Sequence, residues 1–358
     1  MRTDIANPKL LAHLIASIFP TFLCAGACAE PKSPTGNPVT DSGTAGADGG
    51  GFEETGGDTI ACDAPAAEPG LDREGNPADG WNWQRLGPLW PDTEAFAYNQ
   101  GHLSPSIVRF EGEMLLLFTR QVGPEQTLWS ARSTDGRSWS TPEPVTGLDE
   151  NGGSYPSLLV YQGELRLYYG SGSIAWATST DGRDFSPQGS ILRPGPSGRF
   201  DAVSLLYPHA VEEAGEDGDV LALYYTGFDG ARFAIGRAES VDGGETWSSG
   251  ELHLERRADA WDNAAVGMPR AHTVGEERLL WYGGYDTIIA NPGPWRIGLK
   301  TGDTRSVSLP LTAEGTEVYS TRDPALLPDQ GGWLMIYAGM GDDGVYRLHS
   351  ATSSVCSG

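Results

Sequence analysis

The segment 207–247 contains one complete structural repeat. It opens with Tyr207-Pro208-His209-Ala210-Val211, continues with apolar runs at 220–226 and 233–238, and ends with Ser240-Val241-Asp242-Gly243-Gly244-Glu245-Thr246-Trp247. Runs of about five to seven residues rich in Leu, Tyr and Val, bounded by Gly and Asp, predict short β-strands. The segment therefore predicts an inner strand that begins near a proline, two further strands and a turn into a fourth.

The same layout recurs five times along the chain. The inner strands are marked by Pro105, Pro156, Pro208, Pro269 and Pro324, which are 51 to 61 residues apart. Second strands are predicted at 114–119, 165–170, 220–226, 278–283 and 333–338, and third strands at 127–132, 174–178, 233–238, 295–300 and 345–350. A period near 50 residues with four short strands per unit is typical of a β-propeller. We expect an all-β fold, a single five-bladed β-propeller over residues 81–358.

Three repeats carry a second signature between their third and fourth strands. The segment 240–247 resembles the Asp-box turn at every position, and 133–139 and 179–185 resemble versions that are one residue shorter. In such a turn the Asp carboxylate accepts hydrogen bonds from turn N–H groups, and Gly supplies a positive φ. The signature indicates the fold and places these turns on the rim, away from the central funnel.

The last repeat has three strands and lacks a fourth. Residues 83–89 resemble the outer strands of other repeats, so we predict that this N-terminal strand completes the C-terminal blade and removes its exposed edges.

The N-terminal residues predict an exported protein. Residues 1–28 resemble a signal peptide, with Arg2 and Lys9 before a short apolar run. Ala25-Gly26-Ala27-Cys28 resembles a bacterial lipobox with Cys28 as the lipidated residue, and plain secretion is the alternative. Residues 29–80 predict a disordered Gly/Pro/Asp-rich tether. Cys24 and Cys28 belong to the leader, and the two cysteines beyond it, Cys62 and Cys356, are candidates for a disulfide in an oxidising compartment.

The formal net charge of −24 limits the class of partner. An acidic surface disfavours nucleic acid and anionic lipid, whose phosphates need basic side chains. A glycan or oligosaccharide is compatible with this charge. We expect a monomer without cofactor or metal, attached to a membrane only through the candidate lipid anchor.

Several polar residues break the repeat at positions that face the central funnel. His209 and Arg270 follow Pro where other repeats have Ser or Ala, His272 lies two residues further along the strand, and Arg322-Asp323 precedes Pro324. The candidates for substrate binding are His209, Arg270, His272, Arg322, Tyr155 and Tyr207, although a buried histidine is more often structural. Three acids lie seven residues before their prolines: Asp149, Asp201 and Asp262. Their recurrence favours anchoring of loops, and glycosidic acid–base chemistry is the alternative.

The repeat, the Phe200-Asp201 and Trp261-Asp262 blocks and the strand Leu223-Tyr224-Tyr225-Thr226-Gly227 resemble the five-bladed superfamily of glycoside hydrolase families 43 and 32. That resemblance implies hydrolysis of O-glycosyl bonds by three acids in the first three blades. Ser104, Tyr155 and Tyr207 precede the first three prolines where those acids are expected. Sialidases share the Asp turns but use six blades.

Two hypotheses about function follow. The first is a glycosidase that acts on an extracellular glycan, with Asp201, Asp262 and Asp323 as candidate catalytic residues. The second is a non-catalytic glycan-binding or interaction propeller at the cell surface.

Overall fold

The computed structural model describes residues 83–90, 100–123, 125–148, 153–170, 172–215, 218–274, 277–286, 295–312, 315–329 and 332–354. The predicted leader, the tether, Cys28, Cys62, Cys356 and Asp149 lie outside these ranges. Every regular element of the described residues is a β-strand. This part of the chain contains no helical segment with the length and apolarity that crossing a bilayer requires.

The strands form five four-stranded antiparallel sheets, which we call blades 1 to 5. The first strand in the chain is β1 (Gln84–Pro88). Blade 1 contains β2 (Gln100–Phe110), β3 (Glu113–Val122), β4 (Glu125–Ser133) and β5 (Glu143–Pro144). Blade 2 contains β6 (Ser157–Tyr161), β7 (Glu164–Tyr169), β8 (Ile174–Ser179) and β9 (Ser186–Leu192). Blade 3 contains β10 (Ser204–Gly215), β11 (Gly218–Phe228), β12 (Phe233–Ser240) and β13 (Glu251–Leu254).

The last two blades follow the same order. Blade 4 contains β14 (Ala265–Val274), β15 (Glu277–Tyr285), β16 (Arg296–Thr301) and β17 (Thr304–Leu309). Blade 5 contains β18 (Ser320–Asp329), β19 (Gly332–Met340) and β20 (Tyr346–Ser354), and β1 is its fourth strand. The five-bladed propeller predicted from the repeat is confirmed.

The N-terminal strand closes the ring, as the sequence predicts. β1 pairs with β20 in antiparallel register, Gln84 opposite Thr352 and Pro88 opposite His349. The Arg85 guanidinium also donates to a Glu317 carboxylate oxygen and to the Pro310 carbonyl, which ties β1 to the loop that precedes blade 5. Because β1 covers β20, the outer edge of the last blade is paired.

The core lies between the blades. In blade 1, Met114, Leu116 and Phe118 of β3 pack with Leu334 and Ile336 of blade 5. The alternate residues of the same strand, such as Leu115 and Leu117, join the cluster shared with blade 2. Second strands are apolar on both faces because each is covered by two neighbouring blades. Their runs of Leu and Tyr are therefore nearly continuous instead of alternating with polar residues.

The three Asp turns have the hydrogen bonds that their sequence predicts. Asp135 Oδ1 accepts from the amides of Arg137 and Ser138 at 2.8 and 2.7 Å, and Ser133 Oγ accepts from the Gly136 amide at 2.9 Å. The turn-amide hydrogen bonds lower the pKa of Asp135 below its ordinary value, which keeps it ionised. The turn at Asp181 repeats this arrangement. In the longer turn at Asp242 the carboxylate accepts from the amide and the hydroxyl of Thr246, and Ser240 Oγ accepts from the Gly244 amide.

Candidate functional site

The inner strands share one backbone irregularity, at the residue before each proline. These five residues all have positive φ: Ser104 (52°), Tyr155 (58°), Tyr207 (51°), Met268 (58°) and Asp323 (54°). Positive φ is uncommon for residues other than Gly, and a following proline further restricts the backbone. In blade 1 the pairing of β2 with β3 shifts register between Leu103 and Ser106, which marks a β-bulge. Blades 3, 4 and 5 show the same shift.

The five side chains lie together near the end of the channel where the inner strands begin. We call this end the mouth and these five residues the mouth ring. The Tyr155 and Tyr207 rings lie 4.0 Å apart between centroids, at an angle of 32°. Asp323 Oδ2 accepts hydrogen bonds from the Ser104 amide at 3.0 Å and the Ser104 hydroxyl at 3.4 Å. All five residues are buried.

Arg322 crosses the mouth beside the ring. Its Nε lies 3.2 Å from Asp323 Oδ1, and its Nη2 donates to the Tyr207 hydroxyl at 2.7 Å. The guanidinium also lies 5.2 Å from the Trp295 ring centroid and 5.6 Å from that of Tyr346. Burial alone lowers the pKa of Arg322, but the Asp323 carboxylate opposes this and the net shift is upward. Arg322 is therefore a permanent cation among aromatic faces.

The amides of the mouth ring are held by the preceding blade. Thr119 Oγ1 accepts from the Tyr155 amide at 3.1 Å, and Thr226 Oγ1 accepts from the Met268 amide at 2.8 Å. Asp323 does the same for Ser104. The threonines occupy corresponding places at the end of their second strands, opposite Leu103 and Leu206. Our sequence reasoning missed them, although a Thr that ends an apolar strand in two repeats was a usable signal.

One residue beyond each proline, a second set of contacts joins neighbouring blades. Ser106 Oγ accepts from the Leu158 amide at 2.8 Å, and Ser157 Oγ accepts from the Ala210 amide at 3.1 Å. His209 contacts the Ala271 carbonyl through Nε2 at 3.0 Å. Burial, then the charge of Arg270, lowers the pKa of His209 well below its ordinary value, so the ring is neutral and Nε2–H is the donor. His209 thus joins neighbouring blades at the place where serine does so in two other blades, but it donates to a carbonyl, whereas the serines accept from an amide.

Arg270 and His272 lie deeper in the channel than the mouth ring. Arg270 is 4% exposed and its guanidinium faces the carbonyls of the inner-strand prolines. The His272 ring packs edge-on against Trp333, with centroids 5.0 Å apart, and lies 5.8 Å from the His209 ring. Burial, then Arg270, lowers the pKa of His272 to about 4. The predicted substrate role of these residues stays a prediction, and their contacts are with the protein itself.

Asp201 and Asp262 are held within their own blades. The Tyr225 hydroxyl donates to Asp201 at 2.8 Å, and Arg199 Nε lies 3.0 Å from the same carboxylate. The arrangement at Asp262 is the same, with Tyr282 at 2.8 Å and Arg257 at 3.1 Å.

Both aspartates follow an aromatic residue that packs where glycines leave room. A Cβ at Gly227 would lie 2.7 Å from the Phe200 ring, and one at Gly284 would lie 2.6 Å from the Trp261 ring. Glu317 of blade 5 occupies the corresponding place, with Tyr337 and Arg85 as partners. These contacts suit loop anchoring, and the catalytic assignment of Asp201 and Asp262 stays a prediction.

The structure therefore brings together Tyr155, Tyr207, Arg322 and Asp323 of the predicted site. It adds Trp295 and Tyr346 beside Arg322, and it places Arg270, His209 and His272 below them. Among the described residues, no group of three or more His, Cys, Asp or Glu side chains is arranged to hold a metal ion.

A polar cavity of about 690 Å³ lies at the rim between blades 1 and 2. Its charged side chains pair with each other: Arg132 with Glu113 at 3.2 Å and Arg183 with Glu143 at 2.7 Å. Arg132 also donates to the Asp181 carbonyl at 2.7 Å, so these groups tie the two blades together.

Comparison with known proteins finds similarity in structure but not in sequence. No protein-family model matches the chain, and no curated protein sequence matches it either. An α-L-arabinofuranosidase from Podospora anserina, solved with cellotriose, superposes with a TM-score of 0.58 at 12% identity, over 77% of this chain and 97% of that one. A GH62 hydrolase solved with xylotriose gives 0.57 at 13% identity, over 76% and 97%.

A third similar structure comes from work on the GH130 family of mannoside phosphorylases, described as containing glycoside hydrolases that target β-1,2-mannosidic linkages in Candida mannan. It gives a TM-score of 0.58 at 14% identity, over 76% of this chain and 93% of that one. At such identities the likeness shows the fold alone. The chain is a five-bladed propeller similar in fold to these glycoside hydrolases, and the fold that the sequence resemblance implies is confirmed.

Proposed function

We propose that the protein is an exported glycan-binding propeller that has the glycoside hydrolase fold but does not hydrolyse its ligand. The observation that carries the proposal is the composition of the mouth ring. Asp323 is its one carboxylic acid, and that side chain is 1% exposed, ion-paired with Arg322 and hydrogen-bonded to Ser104. The other ring positions are occupied by Ser, Tyr, Tyr and Met.

Hydrolysis of a glycosidic bond needs two carboxyl groups across the bond, one of them as proton donor. Asp323 faces Arg322 and Ser104 within the protein, and its charge is already neutralised by the guanidinium. Asp201 and Asp262 accept hydrogen bonds from tyrosine hydroxyls and are paired with arginines in their own blades. These contacts favour binding over catalysis.

Aromatic side chains at the mouth supply surface on which a sugar ring can stack. Tyr285 ends β15 and packs at 4.7 Å against Trp295, and Tyr319 precedes β18 and is 58% exposed. Tyr155, Tyr207 and Trp295 form one cluster beneath Tyr285. Sugar recognition combines such apolar faces with a few fixed polar groups, for which the half-buried Tyr346 is a candidate, with the buried Arg322 positioning its ring. Similar structures were solved with cellotriose and xylotriose, which makes neutral oligosaccharides the first ligands to test.

Binding is tested by titrating the purified propeller with xylotriose, cellotriose and β-1,2-mannobiose in a calorimeter. We expect at least one to bind, and Tyr319→Ala and Tyr285→Ala to weaken it about 3- to 10-fold, the range for loss of one aromatic contact. Tyr161→Ala is the matched control because Tyr161 ends β6 at the opposite end of the channel. Equal losses in all three variants would argue against a site at the mouth.

Glycoside hydrolysis is the second candidate function, favoured by the position of Asp323 directly before an inner-strand proline. A panel of aryl glycosides is incubated with the wild-type protein and with Asp323→Asn. We expect the same background rate from both. Turnover by the wild type that Asp323→Asn abolishes would replace the binding proposal with the hydrolytic one, and Asp201→Asn and Asp262→Asn would then be assayed in the same way.

Export and lipidation at Cys28 are part of the proposal and rest on the sequence alone. Expression of the full chain in a bacterial host followed by mass spectrometry of the mature N-terminus distinguishes the alternatives. A diacylated Cys28 in the membrane fraction supports a lipoprotein. A soluble product cleaved near residue 28 without lipid supports plain secretion, and an uncleaved cytoplasmic product contradicts export.

A further inference from the structure

A single guanidinium serves the backbone of four inner strands at the centre of the propeller. Arg270 Nη1 donates to the Pro269 carbonyl at 2.8 Å and reaches that of Pro208 at 3.4 Å. Its Nη2 donates to the Pro105 carbonyl at 3.0 Å and reaches that of Pro156 at 3.5 Å. These prolines come from blades 1, 2, 3 and 4, so the four carbonyls converge on one point in the channel.

The bulges explain why those carbonyls need a partner. In blades 1, 3 and 4 the register between first and second strands skips the mouth-ring residue and the proline that follows it. In blade 2, β6 begins only after Pro156. A buried carbonyl that is not hydrogen-bonded to the neighbouring strand needs another hydrogen-bond donor. The guanidinium carries several N–H donors in one plane.

The positive charge of Arg270 is balanced mainly by the dipoles of the four proline carbonyls. The carboxylate that acts on it is Asp323, which is already paired with Arg322. Burial lowers the pKa of Arg270 to about 10, so it is still a cation at neutral pH. The channel centre therefore holds a cation surrounded by carbonyl oxygens, the arrangement that selects positive ligands wherever backbone carbonyls converge.

We infer that the carbonyls of Pro105, Pro156, Pro208 and Pro269 form a cation-binding site, and that Arg270 is its built-in ligand. Occupancy of this site blocks the channel below the mouth and sets the spacing of the inner strands. Each carbonyl belongs to the residue directly after a member of the mouth ring, so the site also positions Ser104, Tyr155, Tyr207 and Met268. The inference does not depend on what binds at the mouth.

Chemical rescue tests the site without any glycan. Arg270→Ala removes the cation and leaves a space of its size, and we expect the melting temperature to fall by roughly 5–10 °C. Guanidinium chloride at about 20 mM, far below denaturing concentrations, should restore at least half of that loss. Tetramethylammonium chloride, whose cation has no N–H donors, and urea at the same concentration are the controls for ionic strength and for shape without charge, and neither should restore it.

Arg270→Met is the matched variant because it fills the same space without charge or donors. We expect it to be as destabilised as Arg270→Ala and insensitive to guanidinium. Near-UV circular dichroism reports the packing of all ordered aromatic side chains, the Tyr155–Tyr207 pair among them, and guanidinium should restore the wild-type spectrum only in Arg270→Ala. If Arg270→Ala does not fold alone, the yield on refolding with guanidinium or urea replaces the melting temperature.

Three results would overturn the inference. They are a wild-type melting temperature in Arg270→Met, rescue of Arg270→Ala by urea as well as by guanidinium, and no rescue or recovery by guanidinium at all.

Discussion

At the scale of single residues, one arginine at the mouth makes three different kinds of interaction. Arg322 binds Asp323 through charge, the Tyr207 hydroxyl through a hydrogen bond, and Trp295 and Tyr346 through their ring faces. Each partner comes from a different strand or loop, so the guanidinium joins blades 3, 4 and 5. Since Arg322 is 3% exposed, losing a polar partner removes an acceptor from a buried guanidinium.

Tyr207→Phe tests this dependence. Removal of the hydroxyl leaves Arg322 Nη2 without the acceptor at 2.7 Å, and we expect a loss of about 1–3 kcal/mol in the free energy of unfolding. Urea denaturation monitored by fluorescence gives the value. The half-buried Tyr285→Phe is the control, with an expected change below about 0.5 kcal/mol. A Tyr207→Phe protein as stable as the wild type would mean that Arg322 does not rely on this hydroxyl.

The residue types at the centre were visible in the sequence, but their roles were not. His209 and Arg270 stood out because they replace Ser or Ala after a proline, and that signal correctly placed them at the channel. It could not tell that Arg270 faces carbonyls of other blades, because those contacts join residues up to 165 positions apart. The same limit applies to Thr119 and Thr226, whose partners lie in the next blade.

At the scale of elements, β1 is held by its pairing with β20 and by the Arg85 side chain. We expect Arg85→Ala to lower the free energy of unfolding by about 1–3 kcal/mol, because Glu317 loses its ion pair and the Pro310 carbonyl its donor. Hydrogen exchange should accelerate first in β20 and β1. Gln84→Ala, at an exposed position of the same strand, is the control. Acceleration spread evenly over all five blades would contradict a local role for Arg85.

The Asp turns offer a second test at this scale. Ser240 is 2% exposed, and its hydroxyl accepts from the Gly244 amide at 2.8 Å and donates to Asp242 at 2.7 Å. Ser240→Ala leaves that buried amide unpaired, and we expect a loss of about 1–3 kcal/mol in urea unfolding. Val241→Ala, at an 84% exposed position in the same turn, should change little. Equal effects of both variants would show that the turn is insensitive to its hydrogen bonds.

The strands themselves were predictable, and their bulges were not. Five repeats of similar spacing fix the number of blades, and the three-strand final repeat pointed to β1 as the closing strand. The positive φ before each proline runs against local preference, because Ser, Tyr, Met and Asp rarely adopt it. We attribute this backbone conformation to the packing of five blades around one axis. A short stretch of sequence therefore does not reveal it.

At the scale of the whole molecule, stability should fall as the pH is lowered. Burial, then Arg120 and Arg347, lowers the pKa of His102 to about 4, and burial also lowers the pKa of His209 and His253. Since the unfolded chain binds these protons near pH 6.5, unfolding takes up protons between about pH 6.5 and 4. Each such histidine lowers the free energy of unfolding by up to about 3 kcal/mol as the pH falls from 6.5 to 4.

Urea unfolding at pH 7.5, 6.0, 5.0 and 4.0 measures the effect. We expect a continuous loss of stability from pH 6.5 downward and a smaller slope in His209→Asn, which keeps a donor but does not titrate. The Asp turns contribute in a separate window, because their carboxylates have lowered pKa values and lose their stabilising charge only below about pH 4. Constant stability between pH 6.5 and 4 would show that the histidines are not held neutral.

The closing strand also fixes the order in which the molecule can be completed. During synthesis β1 leaves the ribosome before every other strand described here, and its partner β20 leaves last. The first four blades can form from consecutive strands as they emerge, whereas blade 5 must wait for the end of the chain. Until then β1 is a strand without a partner, and the β20 of a neighbouring chain offers it the same register. The seam that makes the finished ring continuous is thus the point at which two unfinished chains can exchange strands.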